Sequence, residues 1–229
     1  MICLILGYGA RAKPLLEKVL REEGIDGVVL TDESCAERLD EVRKAKVVFV
    51  YAHELPEGVV SAIRESGAKV VSAEDGLANV PPEVVVKARA YYILGGERNL
   101  RNLVRYLASL SGANVSYEEP EDVPMQGIYH PDYGLFLDTD EYLRVYRLRP
   151  LVGVLFWRSE WLYGDLGVTR GLIRALEEEG LGVVPVFTYG RDSVTGLGHD
   201  KAETVRRFLL RDGRPLVEAL VSLVSFGIA

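Results

Sequence analysis

Side chains that bind metals or carry redox chemistry are scarce in this sequence, with three histidines, two cysteines and two methionines among 229 residues. Two cysteines cannot build the framework of bridges that staples small secreted domains, and Cys3 and Cys35 form no C-x-x-C pair. Cys3 lies in an apolar run, so the expectation is two buried free thiols in a reducing cytoplasm. There is no H-E-x-x-H, no Walker phosphate loop and no Ser-His-Asp order, which leaves autonomous hydrolysis or ATPase activity unsupported. No apolar run reaches the ~18 residues of a membrane span. The opening MICLILGYGA has no basic leader and breaks at glycine, so it reads as a buried strand rather than a signal peptide. Positive charge is also short, 27 Lys and Arg against 34 Asp and Glu, and the net charge of -7 argues against general nucleic-acid binding.

What is present is a folded composition, 48% hydrophobic, with a regular alternation along the chain. MICLILG (1–7) is a short apolar run of the kind covered on both faces. Leu15, Leu16, Val19 and Leu20 then recur at helical spacing. Further strands are expected at 27–32, 46–51 and 68–73, with helices at 34–43 and 56–66 between them. Strands alternating with helices of this length make βαβ units and a parallel sheet. From 82 to 112 the pattern is helical, interrupted by Gly95-Gly96, and a first Rossmann- or flavodoxin-like domain closes near Gly112.

Residues 113–149 read differently. SYEEPEDVP is acidic and proline-bearing, a linker composition, and GIYHP follows it at 127–131. The βα rhythm restarts at Pro150: a strand at 151–157, a helix at 167–180, a strand at 181–189, a helix at 200–211 and a strand at 219–227. The expected fold is thus α/β, a parallel-sheet domain over 1–112, a linker over 113–149 and the beginning of a second α/β domain over 150–229. The second sheet is expected to be unfinished at Ala229.

At the first turn, Gly7-Tyr8-Gly9-Ala10-Arg11-Ala12 fits G-x-G-x-x-A between a strand and a helix, and Asp32 ends the second strand. Gly7 and Gly9 would let backbone N–H groups meet a pyrophosphate, with Asp32 on a ribose hydroxyl. Equally, any tight βα turn favours glycine, and Asp32 is a capping residue before the next helix. Arg11 and Pro14 are unusual for the nucleotide motif.

GIYHP at 127–131, EYLRVYR at 141–147, PLVGVLFWRSEWLYGD at 150–165 and GLIRALEEEGLGVVPVFTYG at 171–190 occur in that order. The succession resembles the amino-terminal part of the cobaltochelatase large subunit, CobN, and of the related magnesium chelatase H subunit. In that family a GIYHP-like segment precedes a strand PxVGxLFxRS, a G(N/D) pair and a helix ending ALExxGLxxxPVF. The resemblance covers residues 115–229, while 1–112 agree in general character only. It implies a large subunit that inserts Co2+ or Mg2+ into a tetrapyrrole, with ATP hydrolysed by separate AAA+ partner subunits. Family members are several times longer. This chain is therefore expected to be an amino-terminal fragment or a short relative, incomplete as a catalyst, without a cofactor of its own, serving tetrapyrrole binding or subunit assembly. Arg170 stands where the family usually has an acid.

Five residues are the tetrapyrrole candidates. His130 offers an imidazole nitrogen and Tyr129 a ring to stack, although His-Pro equally closes a turn with Tyr129 as an anchor. Arg158 and Ser159 follow the strand 151–157 and so sit at the carboxyl end of a parallel strand, the usual ligand crevice of open α/β sheets. Arg158 suits an anionic rim or a local acid, Glu160 or Asp165. Trp157, four residues before Trp161, lines an apolar slot or packs in the core. His53 and His199 are expected in solvated turns, and Glu177-Glu178-Glu179 on the exposed end of a helix.

Overall fold

The structure, a computed structural model, describes residues 1–7, 10–73 and 76–224. It divides into two compact units, 1–123 and 124–229.

The first unit is an α/β layer structure. Strands β1 (Ile2–Leu6), β2 (Gly27–Thr31), β3 (Val47–Tyr51) and β4 (Lys69–Ser72) alternate with helices α1 (Lys13–Glu23), α2 (Leu39–Lys44) and α3 (Glu57–Glu65). All pairings are parallel, in the order β2-β1-β3-β4. Every residue of β1 is buried, as a strand covered on both faces requires. Helix α1 has proline in its first turn and ends on Gly24 at φ 61°, the left-handed stop that glycine tolerates.

Helices α4 (Pro82–Leu94) and α5 (Gly96–Leu110) follow. The Gly95-Gly96 break between them carries positive φ at both residues. Arg101 and Arg105 on α5 bind Glu22 and Glu23 at the end of α1, and Arg101 also binds Glu97. The acidic stretch after α5 has a linker's composition but not a linker's freedom. Buried Asn102 accepts from the Glu118 N–H at 3.0 Å, and buried Asn99 exchanges two hydrogen bonds with the Glu121 backbone at 2.8 Å.

The second unit contains β5 (Gly127–His130), β6 (Gly134–Phe136), α6 (Thr139–Val145), β7 (Leu151–Trp157), α7 (Arg158–Leu162), α8 (Gly167–Glu178), β8 (Gly182–Thr188), α9 (Lys201–Leu209), β9 (Leu210–Arg211), β10 (Arg214–Pro215) and β11 (Ala219–Ser222). Its five-stranded sheet has the order β11-β7-β8-β5-β6. β11, β7 and β8 are parallel, β5 runs antiparallel to β8, and β5–β6 is a hairpin. On one face, Val154 and Val183 pack against Ile173 of α8. On the other, Leu155, Val184 and Val186 pack against Tyr142 and Tyr146 and against Phe208 and Leu209 at the end of α9.

Here the structure differs from the sequence pattern. GIYHP is not a turn in a connector; its first four residues are a strand paired with β8, Gly127 opposite Phe187 and Ile128 opposite Val186. A strand of four residues is too short to display a period, and the proline that follows it reads as a turn signal. The expected final strand is β11, which ends at Ser222 among the described residues.

Candidate functional site

The carboxyl ends of β7 and β8 gather a small set of polar groups within the second unit. The chain leaves β7 at Trp157 and turns at once into α7, whose third residue, Glu160, accepts from the Trp157 N–H at 3.3 Å and from the Thr169 hydroxyl at 2.8 Å. Arg158 is buried, 1% exposed, and its Nε donates to the Pro124 carbonyl at 2.5 Å. Burial pushes its guanidinium down to about 10, with Tyr163 and Tyr189 opposing, so it remains charged at neutral pH. From β8, the Thr188 hydroxyl meets that of Thr204 at 3.0 Å, and Thr204 donates to Gln126 Oε1 at 2.9 Å. Gln126 Nε2 is buried and has no hydrogen-bond partner among the described residues. A buried donor left alone costs about 1–3 kcal/mol. One turn before Thr204 on α9, the Lys201 ammonium stands 5.3 Å from the Trp157 ring centre.

These contacts form a closed circuit. Pro124 to Gln126, the turn at Trp157–Arg158, Thr188 and the first turn of α9 hold one another at the carboxyl edge, where open parallel sheets place ligands. Trp157 and Ser159 are half-buried and Arg158 is interior. Tyr129 is half-buried against Phe156, Leu166 and Phe187, and Trp161 stacks on Phe187 at 4.5 Å. The neighbourhood can present a ring face and a cation to an anionic aromatic ligand, with the buried Gln126 Nε2 as a further donor. Sequence reading missed Gln126, Thr188, Thr204 and Lys201, since nothing local marks four residues joined only by the sheet.

His130 lies elsewhere in the unit and is fully buried. Its Nδ1 accepts from the Asp132 N–H at 3.2 Å, which puts the ring proton on Nε2, 3.2 Å from Glu177 Oε1. Tyr146 donates to the same carboxylate oxygen at 2.9 Å, and Arg174 binds Asp132 at 2.6 Å. Glu177 is thus a half-buried network partner rather than part of an exposed helix end, although Glu178 and Glu179 are exposed as expected. Burial lowers the His130 pKa from the ordinary histidine value, partly offset by Glu177. With both nitrogens engaged, the imidazole has no lone pair to offer a metal. His53 is exposed, and His199 is half-buried with Nδ1 3.4 Å from Glu203. No group of three or more His, Cys, Asp or Glu side chains is placed to hold a metal ion among the described residues.

In the first unit, Gly7 and Asp32 do meet. A Cβ on Gly7 would lie 3.2 Å from Ala52 Cα and 3.3 Å from Asp32 Oδ2, at the point where the strand order reverses between β1 and β3. Asp32 Oδ1 accepts from the Glu33 N–H at 3.1 Å, but the helical turn that follows at Cys35–Glu37 has Ser34 at its cap position, so Asp32 does not take the capping role the sequence also allowed. Gly9 lies outside the described residues. No helix among the described residues is long and apolar enough to cross a membrane.

Comparison with known proteins places these sites in context. The CobN/Magnesium Chelatase family model matches residues 89–229. An uncharacterized protein of Methanocaldococcus jannaschii is 33% identical over 75% of this chain and 14% of its own length. The chloroplastic magnesium-chelatase subunit ChlH of Oryza sativa subsp. indica is 30% identical over 65% of this chain and 12% of its own. Among solved structures, the catalytic subunit of cobaltochelatase from Mycobacterium tuberculosis aligns over 97% of this chain and 18% of its own, with 18% identity and a TM-score of 0.48. The chain therefore spans 12–14% of the length of these two curated relatives.

Proposed function

The chain belongs to the CobN/magnesium chelatase family, and from that premise we propose that it serves a metal-chelatase large subunit, contributing to tetrapyrrole binding and subunit assembly. The observation that carries this reading is the family match itself, which takes in the whole second unit and, in the first, the end of α4 and all of α5. The full reaction is insertion of Co2+ or Mg2+, as substrate, into a macrocycle, with ATP hydrolysed by AAA+ partner subunits. Insertion demands an apolar slot for the ring, a base for the pyrrole protons and ligands for the incoming ion. Among the described residues, the second unit supplies candidates for the first of these. Trp157 offers a ring face and Lys201 a cation, while Ser159 and Tyr129 border the same edge. Arg158 acts by positioning: it holds the strap that carries Gln126. His130 serves the fold through Glu177.

The test is a titration of the 229-residue chain with protoporphyrin and with a corrin precursor, followed by visible absorption. A saturable band shift that weakens on Trp157→Ala supports the reading. No shift with either macrocycle up to high micromolar concentration removes a binding role and leaves assembly.

A second reading rests on the meeting of Gly7, Asp32 and Ala52 at the switch point of the first sheet. There the first unit would bind a nucleotide, with Gly7 and Gly9 at the pyrophosphate and Asp32 on the ribose, as a regulatory module. Calorimetry with NAD(P)H and ATP tests it, and saturable heat lost on Asp32→Ala would favour it over a purely structural turn.

A further inference from the structure

Gln126, Thr188 and Trp157 stand in one row at the carboxyl end of the second sheet. Ile128 lies opposite Val186 and Gly127 opposite Phe187, so one step further along the same register Gln126 lies opposite Thr188. Thr188 in turn pairs with Trp157 of β7. Ile128, Val186 and Leu155 share the core that the end of α9 closes, and side chains two positions along a strand return to the same face. The row therefore faces α9. Its contacts agree: the Thr204 hydroxyl bonds both Gln126 Oε1 and Thr188, and Lys201 lies over the Trp157 ring.

One member of the row is anomalous. Gln126 is 4% exposed, and its Nε2 has no hydrogen-bond partner among the described residues. Buried polar groups are nearly always bonded, and a lone donor weakens the fold. The fold does not depend on this amide either. Thr204 has the Asp200 carbonyl at 3.3 Å as a second acceptor, so an apolar side chain at 126 would strand no hydroxyl. A group that costs stability, and that its neighbours can spare, marks a place where binding and stability pull apart.

We propose that Gln126 is a specificity-determining residue of this edge, its amide N–H groups receiving a carboxylate or carbonyl oxygen on the rim of a ring ligand stacked on Trp157. The inference rests on the tetrapyrrole reading of the same edge and adds what the site selects: a macrocycle whose rim carries oxygen acceptors rather than alkyl groups alone. Lys201 attracts the charge of such a rim from a distance. Gln126 supplies direction, because a hydrogen bond to one rim oxygen fixes how the ring is turned in its plane. The first turn of α9 covers the amide, so the oxygen reaches it as that turn lifts, and Lys201 moves with the same turn.

The experiment titrates the whole chain and its Gln126→Met variant with protoporphyrin, whose rim carries carboxylates, and with etioporphyrin, whose rim carries only alkyl groups, followed by visible absorption. The native chain is expected to prefer protoporphyrin. The variant should lose roughly tenfold or more in affinity for protoporphyrin and bind etioporphyrin as the native chain does. Without ligand, its urea midpoint should equal or exceed the native one. A native chain that binds neither macrocycle removes the tetrapyrrole reading and this proposal with it. Native binding of protoporphyrin with unchanged affinity in the variant overturns the proposal alone, as does an equal loss for both macrocycles or a native preference for etioporphyrin. A lowered midpoint overturns it too, because an internal water or a packing contact would then hold the amide as part of the fold.

Discussion

His130 shows how a conspicuous residue is spent inside a fold. The imidazole is neutral with its proton on Nε2, and Glu177, Asp132 and Arg174 face it. Burial lowers its pKa, while the unfolded ring titrates near the ordinary value of about 6.5. Below that pH the unfolded chain takes up a proton that the native ring refuses. Native stability contributed by this group is therefore intact above about 6.5 and lost as pH falls toward the lower folded value, by at most about 1.4 kcal/mol per pH unit. The urea midpoint should drop between about pH 7.5 and 5.5, and His130→Asn should flatten that stretch. An unchanged slope in the variant assigns the acid sensitivity elsewhere. The thiols give a second expectation at this scale. Burial pushes Cys3 up to about 12 and raises Cys35 as well, so a disulfide reagent at neutral pH should label neither until urea unfolds the chain. Rapid native labelling of either thiol would contradict the burial. The scarcity of histidine drew attention to His130 from the sequence, but Glu177 was not legible as its partner. The two are 47 positions apart and meet only because β5 lies beside β8.

At the scale of elements, the parallel strands were legible and the antiparallel pair was not. β1, β3, β7 and β8 are unbroken apolar runs because helices cover both faces, and each run ends near glycine, proline or charge. β5 and β6 are strands of four and three residues whose neighbours include proline and aspartate, so local composition points to a turn. What holds β5 in place is close approach. A Cβ at Gly127 would lie 2.9 Å from Phe187 Cζ and 3.1 Å from the Phe136 carbonyl oxygen. Gly127→Ala should therefore destabilise the second unit by about 1–3 kcal/mol, the usual cost of forcing a methyl into a packed site. Gly171→Ala makes the control, because nothing lies within 4 Å of its Cβ and the position is on helix α8. That substitution should be neutral or stabilising by up to about 1 kcal/mol. Denaturation of the two variants side by side decides the point. Equal losses would mean that strand β5 is not held by this contact.

For the whole molecule, the unit boundary follows the hydrophobic cores rather than the acidic composition after α5. Cys3, Ile5, Val48, Val50 and Ile63 belong to a core confined to the first unit, and Ile128, Leu155, Val186 and Phe208 to one confined to the second. Composition places a linker over 113–149, yet Asn99 and Asn102 clip Glu118 and Glu121 to the first unit. Everything from Pro124 contributes to the second. Such clips are invisible in sequence because an asparagine in a helix looks like any other polar residue. The division has a measurable consequence. A unit of about 100 residues with its own two-faced sheet buries enough apolar surface to fold alone. The polypeptide 124–229 should then show native-like circular dichroism and a single cooperative urea transition. Its midpoint should fall on Gly127→Ala as it does in the full chain. Cutting at Pro150 instead removes β5, β6 and α6, and with them Ile128, Tyr142 and Tyr146 from the core. That shorter piece should be unfolded or molten. A cooperative transition in the piece from 150, or none in the piece from 124, would place the boundary where the acidic composition put it.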